Sequence, residues 1–175
     1  MKERVTHTFL SPEIEDVRLL KGRNRRLFHE WKRLEERLSD RKDISYAITR
    51  LNAQGLPVQY HITYGIRSIC GVEKIERLDE PGVDNGPLFA SEFKMQIDIP
   101  EDYPCMDAFP SFCFLTETAD GREIPHPWHP NIRYFGDFAG RVCLNAPDSF
   151  MDIVWFVERI ALYLRYDLYH AVQEP

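Results

Sequence analysis

The chain has 175 residues, 43% of them hydrophobic, and a formal net charge of −6. That is apolar material for one domain over residues 1–175 with a real core, and too much for a disordered segment. The negative balance argues against a general nucleic-acid binder, which needs a basic surface to neutralise phosphates.

The opening MKERVTHTFLSPEIEDVRLL is charged throughout and does not read as a signal peptide. No apolar run approaches the roughly 20 residues that span a bilayer, so no membrane partner is expected. The four cysteines, Cys70, Cys105, Cys113 and Cys143, then read as free thiols of a cytoplasmic protein.

Residues 11 to about 40 are predicted as a helix. Ser11-Pro12 offers an N-cap followed by proline at the first helical position. Leu20, Leu27, Trp31, Leu34 and Leu38 recur at helical spacing with Phe28 beside them, and Gly22 would break or kink the beginning. The opposite face carries Arg23, Arg25, Arg26, Lys32 and Arg33, which taken alone reads as a solvated helix surface.

From residue 44 to about 116 the period changes to two. Ile44, Tyr46 and Ile48 alternate, as do Val58, Tyr60, Ile62 and Tyr64, then Phe93, Met95, Ile97 and Ile99; SFCFLT is a further short strand. Turn-like stretches (GLP, DEPGVDNGP, PEDYP) separate them, which predicts an antiparallel meander of four strands. Cys70 and Cys113 fall in apolar strand stretches, where a buried inert thiol is expected.

Residues 117–148 lose all periodicity, and a loop of that length inside a domain usually carries function. Residues 149–171 return to helical spacing, with Asp148 or Ser149 as the cap. Phe150, Ile153, Val154, Val157, Ile160, Ala161, Leu164 and Leu168 form a wide apolar stripe, with Trp155, Phe156, Leu162 and Tyr163 partly off it. Either the first helix or the long loop covers this surplus, or the helix meets a second copy or another partner protein. The predicted class is α+β: an N-terminal helix, an antiparallel four-stranded meander, a long active-site loop and a C-terminal helix.

The chemistry gathers in HPWHPNIRYFGDFAGRVCLN, residues 126–145. Cys105, Cys113, His126, His129 and Cys143 supply zinc-type atoms, but no CxxC or HxxxH pair gives the spacing of a common zinc module. A Cys-His hydrolase would use His126 or His129 on Cys143, yet nothing in the sequence supplies a third, orienting group. A third reading uses the amide. A cysteine that carries an acyl group as a thioester needs a donor for the oxyanion formed when an amine attacks, and a rigidly held Asn can be that donor.

This stretch resembles the active-site region of ubiquitin-conjugating enzymes, whose signature is His-Pro-Asn, a short loop, then Gly-x-(Ile/Val)-Cys-Leu. The matching positions are His129, Pro130, Asn131, Gly140, Val142, Cys143 and Leu144. Upstream, FKMQIDIPEDYPCMDAFPSFCFLTE is similar to the family's strand, Tyr-Pro turn and next strand, and RLFHEWKRLEERL suits its first helix. The resemblance covers residues 23 to about 165.

It implies that Cys143 takes ubiquitin or a ubiquitin-like protein from an activating enzyme as a thioester and passes it to a target, with or without a ligase. It implies that Asn131 holds the loop or stabilises the oxyanion, that His129 and Pro130 are structural, and that Arg23, Arg25 and Arg26 dock the activating enzyme. No metal or cofactor is implied. The chain also departs from the pattern. Asn131 and Cys143 are twelve residues apart, farther than usual, and RYFGDFAG is the place of the insertion. That insertion displaces Asn131, or reads substrate with Tyr134, Phe135 and Phe138, or is a tolerated surface loop. The family's last two helices have no counterpart, and its acidic residue near the cysteine is matched only by the candidates Asp148 and Asp152. Shortened domains of this kind resemble those of bacterial ubiquitin-like systems. The rival class is an inactive relative that only binds ubiquitin-like proteins; such relatives typically lose the cysteine, whereas Cys143 and Asn131 both stand here in order.

Overall fold

In the computed structural model, the described residues are 10–105, 107–144 and 151–167. They form, in order, α1 (Gly22–Leu38), β1 (Ile44–Leu51), β2 (Pro57–Tyr64), β3 (Ser68–Val72), β4 (Pro87–Ala90), β5 (Phe93–Asp98), β6 (Ser111–Phe114) and α2 (Ile153–Leu164). β1, β2, β5 and β6 make one antiparallel sheet in that order, so the fold is α+β as predicted.

The register explains the period of two. Tyr60 faces Ile97, Ile62 faces Met95, Tyr64 faces Phe93, and Met95 faces Phe114. All of these side chains are buried under the helices. The alternate residues form a polar face, where Gln59 donates to Asp98 at 2.7 Å and His61 meets Gln96 at 2.9 Å. One covered face and one wet face is the usual solution for an antiparallel sheet.

Two boundaries differ from expectation. The first helix begins at Gly22, not near Ser11. The residues before it spend their N–H groups elsewhere: Leu10 donates to Ile48 at 3.2 Å and Glu13 to Gly55 at 3.0 Å. A short 3-10 turn, Val17–Leu19, follows, and Gly22 enters the helix at φ +54°. The second difference is the pair β3 and β4, a separate two-stranded sheet between β2 and β5. Its strands lack clean alternation: Cys70 and Ala90 pack against the main core, while Ile69 O and Cys70 O accept from Trp128 N–H and the Tyr134 hydroxyl of the loop after β6.

α2 is buried more completely than its stripe suggested: eight of its twelve residues are buried, including Phe156 and Tyr163. Phe156 packs on Phe112 with ring centroids 5.3 Å apart, and Tyr163 stacks on His129 at 5.0 Å. The Tyr64 hydroxyl donates to the Val157 carbonyl at 2.8 Å. Ion pairs from α1 close the remaining side, Arg33 to Asp152 and Arg37 to Glu158, each 2.7 Å. Among the described residues most of the apolar surplus is thus covered within the chain, as the first of the two readings expects, while Leu162 stays exposed. Phe150 and Leu168 of the stripe, and the proposed caps Asp148 and Ser149, lie outside the described residues. The observed cap is Asp152, which accepts the Trp155 N–H at 3.0 Å.

One buried carboxylate ties the helices together. Glu30 of α1 is 2% exposed. It accepts from Arg26 Nε at 2.8 Å, from the Tyr103 hydroxyl, and from the Ile153 N–H at 2.8 Å. Burial, then the Glu30 charge, push the Tyr103 phenol well above its ordinary range, so it stays a donor. The Ile153 N–H is an orphan of the first turn of α2, which a carboxylate is suited to satisfy. No helix among the described residues is long and apolar enough to cross a membrane.

Candidate active site

The loop after β6 has no period because isolated bridges hold it. Cys113 bridges Arg141, Ile132 bridges Val142, and His129 bridges Ile132. Val142 N–H donates to Phe112 O at 2.9 Å, which extends the sheet past β6 by one short segment. That segment then pairs with residues 131–133. Arg133 N–H donates to Arg141 O at 2.9 Å, and Cys143 N–H donates to Asn131 O at 2.7 Å.

The twelve-residue separation of Asn131 and Cys143 is therefore not a separation in space along the backbone. The chain leaves at Arg133, turns through residues 134–140, and returns at Arg141. Gly140 makes the return possible. It has φ +89°, and a Cβ there would run into the Phe114 carbonyl, while Phe114 N–H donates to Gly140 O at 2.7 Å.

The two faces of this ladder differ. Ile132 and Val142 point into the core, at 3% and 8% exposed. Cys143 is exposed, while Asn131 is buried at 4%. The Asn131 N–H donates to His129 Nδ1 at 3.0 Å, and the imidazole packs between Tyr163 and Tyr166. His129 thus braces the turn at Pro130 against α2. His126 stacks on Tyr134 at 4.4 Å, with Nε2 3.2 Å from the Tyr134 carbonyl. The hydrogen bonds shown for the two imidazoles run to the Asn131 N–H and the Tyr134 carbonyl, not to Cys143.

The other thiols differ from Cys143. Cys70 and Cys113 are half-buried rather than buried as expected, and that burial pushes both thiols up. Cys105 is exposed, in the turn after Tyr103-Pro104. No three His, Cys, Asp or Glu side chains among the described residues come together as metal ligands. A recess lined by Phe109, Phe112, Val142, Leu144 and Phe156, with Asp107 and Arg141 also on its lining, involves the chain neighbours of Cys143 but not Cys143 itself.

The remaining candidate residues are scattered. Asp152 caps α2 with one oxygen and holds Arg33 with the other, so its carboxylate is engaged in structure. Asp148 lies outside the described residues. Of the basic face, Arg23 donates to the Pro100 carbonyl at 3.0 Å and Arg26 is held by Glu30, leaving Arg25 exposed. Of the three aromatic residues that a substrate-reading insertion would expose, Tyr134 is half-buried and donates to the Cys70 carbonyl at 2.8 Å, while Phe135 and Phe138 are exposed. Glu30 was missed, although a carboxylate on the buried spacing between Leu27 and Leu34 was a visible signal. Arg133 and Arg141 were missed too.

No family model and no curated protein matches the chain. Among solved structures it is similar to a Plasmodium vivax ubiquitin conjugating enzyme E2. That match has 17% identity and a TM-score of 0.46, covering 79% of this chain and 98% of that one.

Proposed function

We propose that the chain is a ubiquitin-conjugating-type enzyme acting through Cys143. The observation that carries this reading is the ladder that sets an exposed thiol opposite a buried Asn, with Cys143 N–H bonded to Asn131 O at 2.7 Å. Loading is a thioester exchange. The Cys143 sulfur attacks the carbonyl carbon carried by an activating enzyme; a new C–S bond forms, the old one breaks, and the leaving thiol takes up a proton. Discharge is aminolysis. A neutral lysine nitrogen attacks the same carbon, the C–N bond forms, the C–S bond breaks with its electron pair on sulfur, and the amine proton passes to solvent.

Asn131 serves this step by holding the loop and supplying an amide donor to the oxyanion. His129 and Pro130 fix the turn that presents it. Neither role needs a metal or a general-base histidine. The largely apolar recess lined by Val142 and Leu144, the chain neighbours of Cys143, suits the extended end of a ubiquitin-like protein, and Arg25 is the part of the basic face free to dock an activating enzyme.

The test is a gel shift. The chain is mixed with ATP, an activating enzyme and a ubiquitin-like protein, and a thiol-sensitive adduct is expected. Cys143→Ala should carry nothing, and Cys143→Ser should form a slower adduct that resists reductant. A reducible adduct on Cys143→Ala would overturn the assignment. Binding without any adduct would mark an inactive binding module instead.

A further inference from the structure

We propose that the excursion between Arg133 and Arg141 docks an acidic segment of the acceptor protein, within a few residues of the lysine that attacks the thioester. This rests on the function proposed for Cys143.

The first observation is charge. In a chain of net charge −6, eight described arginines pair with carboxylates. Arg133 and Arg141 are exposed, and among the described residues neither has such a partner. Their guanidinium groups instead both lie over the Phe138 ring, at 5.7 and 5.8 Å from its centroid. Phe138 is 56% exposed. Two cations gathered round an exposed ring make a surface with an apolar centre and a positive rim.

The second observation is position. Arg133 and Arg141 are paired across the ladder, two residues from Asn131 and Cys143 on their strands. Strand alternation sets all four on the face opposite Ile132 and Val142. Two residues of strand are about 7 Å, so an extended peptide whose lysine reaches the thioester has its near neighbours over the two guanidinium groups.

The chemistry selects the acceptor. The donor's terminal carboxylate is consumed when the thioester forms, so it offers no charge to this rim after loading. A lysine approaching two cations is repelled unless carboxylates beside it offset them. A nucleic acid would need a longer basic track than two cations flanking Asp137 on an acidic molecule.

The experiment uses the unloaded full chain and labelled ten-residue peptides with one central lysine and one leucine. Their flanks are Asp/Glu, Asn/Gln or Arg. Exposed pairs of this kind are worth up to about 1 kcal/mol each, so the acidic peptide should bind about tenfold tighter than the neutral one by fluorescence anisotropy. Arg133→Glu with Arg141→Glu should reverse the order in favour of the basic peptide. Equal binding of all three, an order unchanged in the double variant, or stronger competition by an oligonucleotide of equal charge would overturn the proposal. On the Cys143-loaded chain the acidic peptide should also discharge the thioester fastest; selective binding with equal discharge would place the segment elsewhere and overturn it. The binding arm needs no loading, so a failure to load Cys143 counts against the proposed function alone.

Discussion

Gly140 shows how one residue sets the site. Its φ of +89° is strained for any L side chain, and it also passes against the Phe114 backbone. Gly136 has a similar φ of +78° but open space where a Cβ would go. Gly136→Ala should therefore cost only the strain of the left-handed backbone, about 1 kcal/mol. Gly140→Ala should cost about 2–3 kcal/mol, because the ladder must shift as well. Urea denaturation compares them, and equal costs would mean that the close approach to Phe114 is unimportant. Gly140→Ala should also impair loading at Cys143, since the register with Asn131 moves. Asn131 itself divides the two steps. Asn131→Ala should slow discharge to lysine by about 10²–10³, the usual cost of one oxyanion donor, and leave loading less affected. Equal loss of both steps with lowered thermal stability would make the Asn purely structural.

At the scale of elements, two carboxylates hold α2, Glu30 of α1 and Asp43 just before β1. Glu30→Ala would leave the Tyr103 hydroxyl and the Ile153 N–H buried without their acceptor, a loss of about 3–5 kcal/mol. Glu30→Gln keeps one acceptor oxygen and should cost less, and a Tyr103→Phe background should reduce the penalty of either. Additive effects in that cycle would deny the link. Asp43 fastens the other end. Hydrogen bonds from Arg41 first, opposed by some burial and aided by Arg165, hold its carboxyl well below the ordinary range. A depressed carboxylate stabilises the fold above its unfolded pKa of about 3.9, and the contribution drains away as pH falls below that value. Thermal melts should therefore fall more steeply between pH 4 and 2 for the native chain than for Asp43→Asn. Parallel curves would remove Asp43 from the acid response. Much of this scale was legible. Leu27, Leu34 and Leu38 marked the buried face of α1, and alternation marked β1, β2 and β5, because each pattern reports burial against one surface. The start at Ser11 was misread because Leu10 and Glu13 bond to Ile48 and Gly55, partners that local spacing does not reveal.

The whole molecule is the sheet with its two helices plus two excursions that rest on each other. The hairpin of β3 and β4 and the turn from Arg133 to Arg141 meet through Tyr134. Its hydroxyl donates to Cys70 O at 2.8 Å, and its ring packs on His126 and Trp128 at 4.4 and 4.5 Å. Trp128 N–H in turn donates to Ile69 O at 2.8 Å. The His-Pro-Asn and Cys-Leu pattern was readable because its spacing is local. This contact was not, because Cys70 and Tyr134 are distant in sequence and neither stretch alternates. It makes a prediction that belongs to no single element. Tyr134→Phe removes one hydrogen bond, worth about 1 kcal/mol. Tyr134→Ala removes the ring as well and should loosen both excursions together. Hydrogen exchange should then rise about tenfold or more at residues 68–72, 87–90 and 133–141, while β2 and β5 keep their protection, because local opening follows the unit that lost its contacts. Faster exchange at residues 133–141 alone would show that the hairpin stands independently, and Cys143 would then sit beside one mobile arm rather than inside a braced pair.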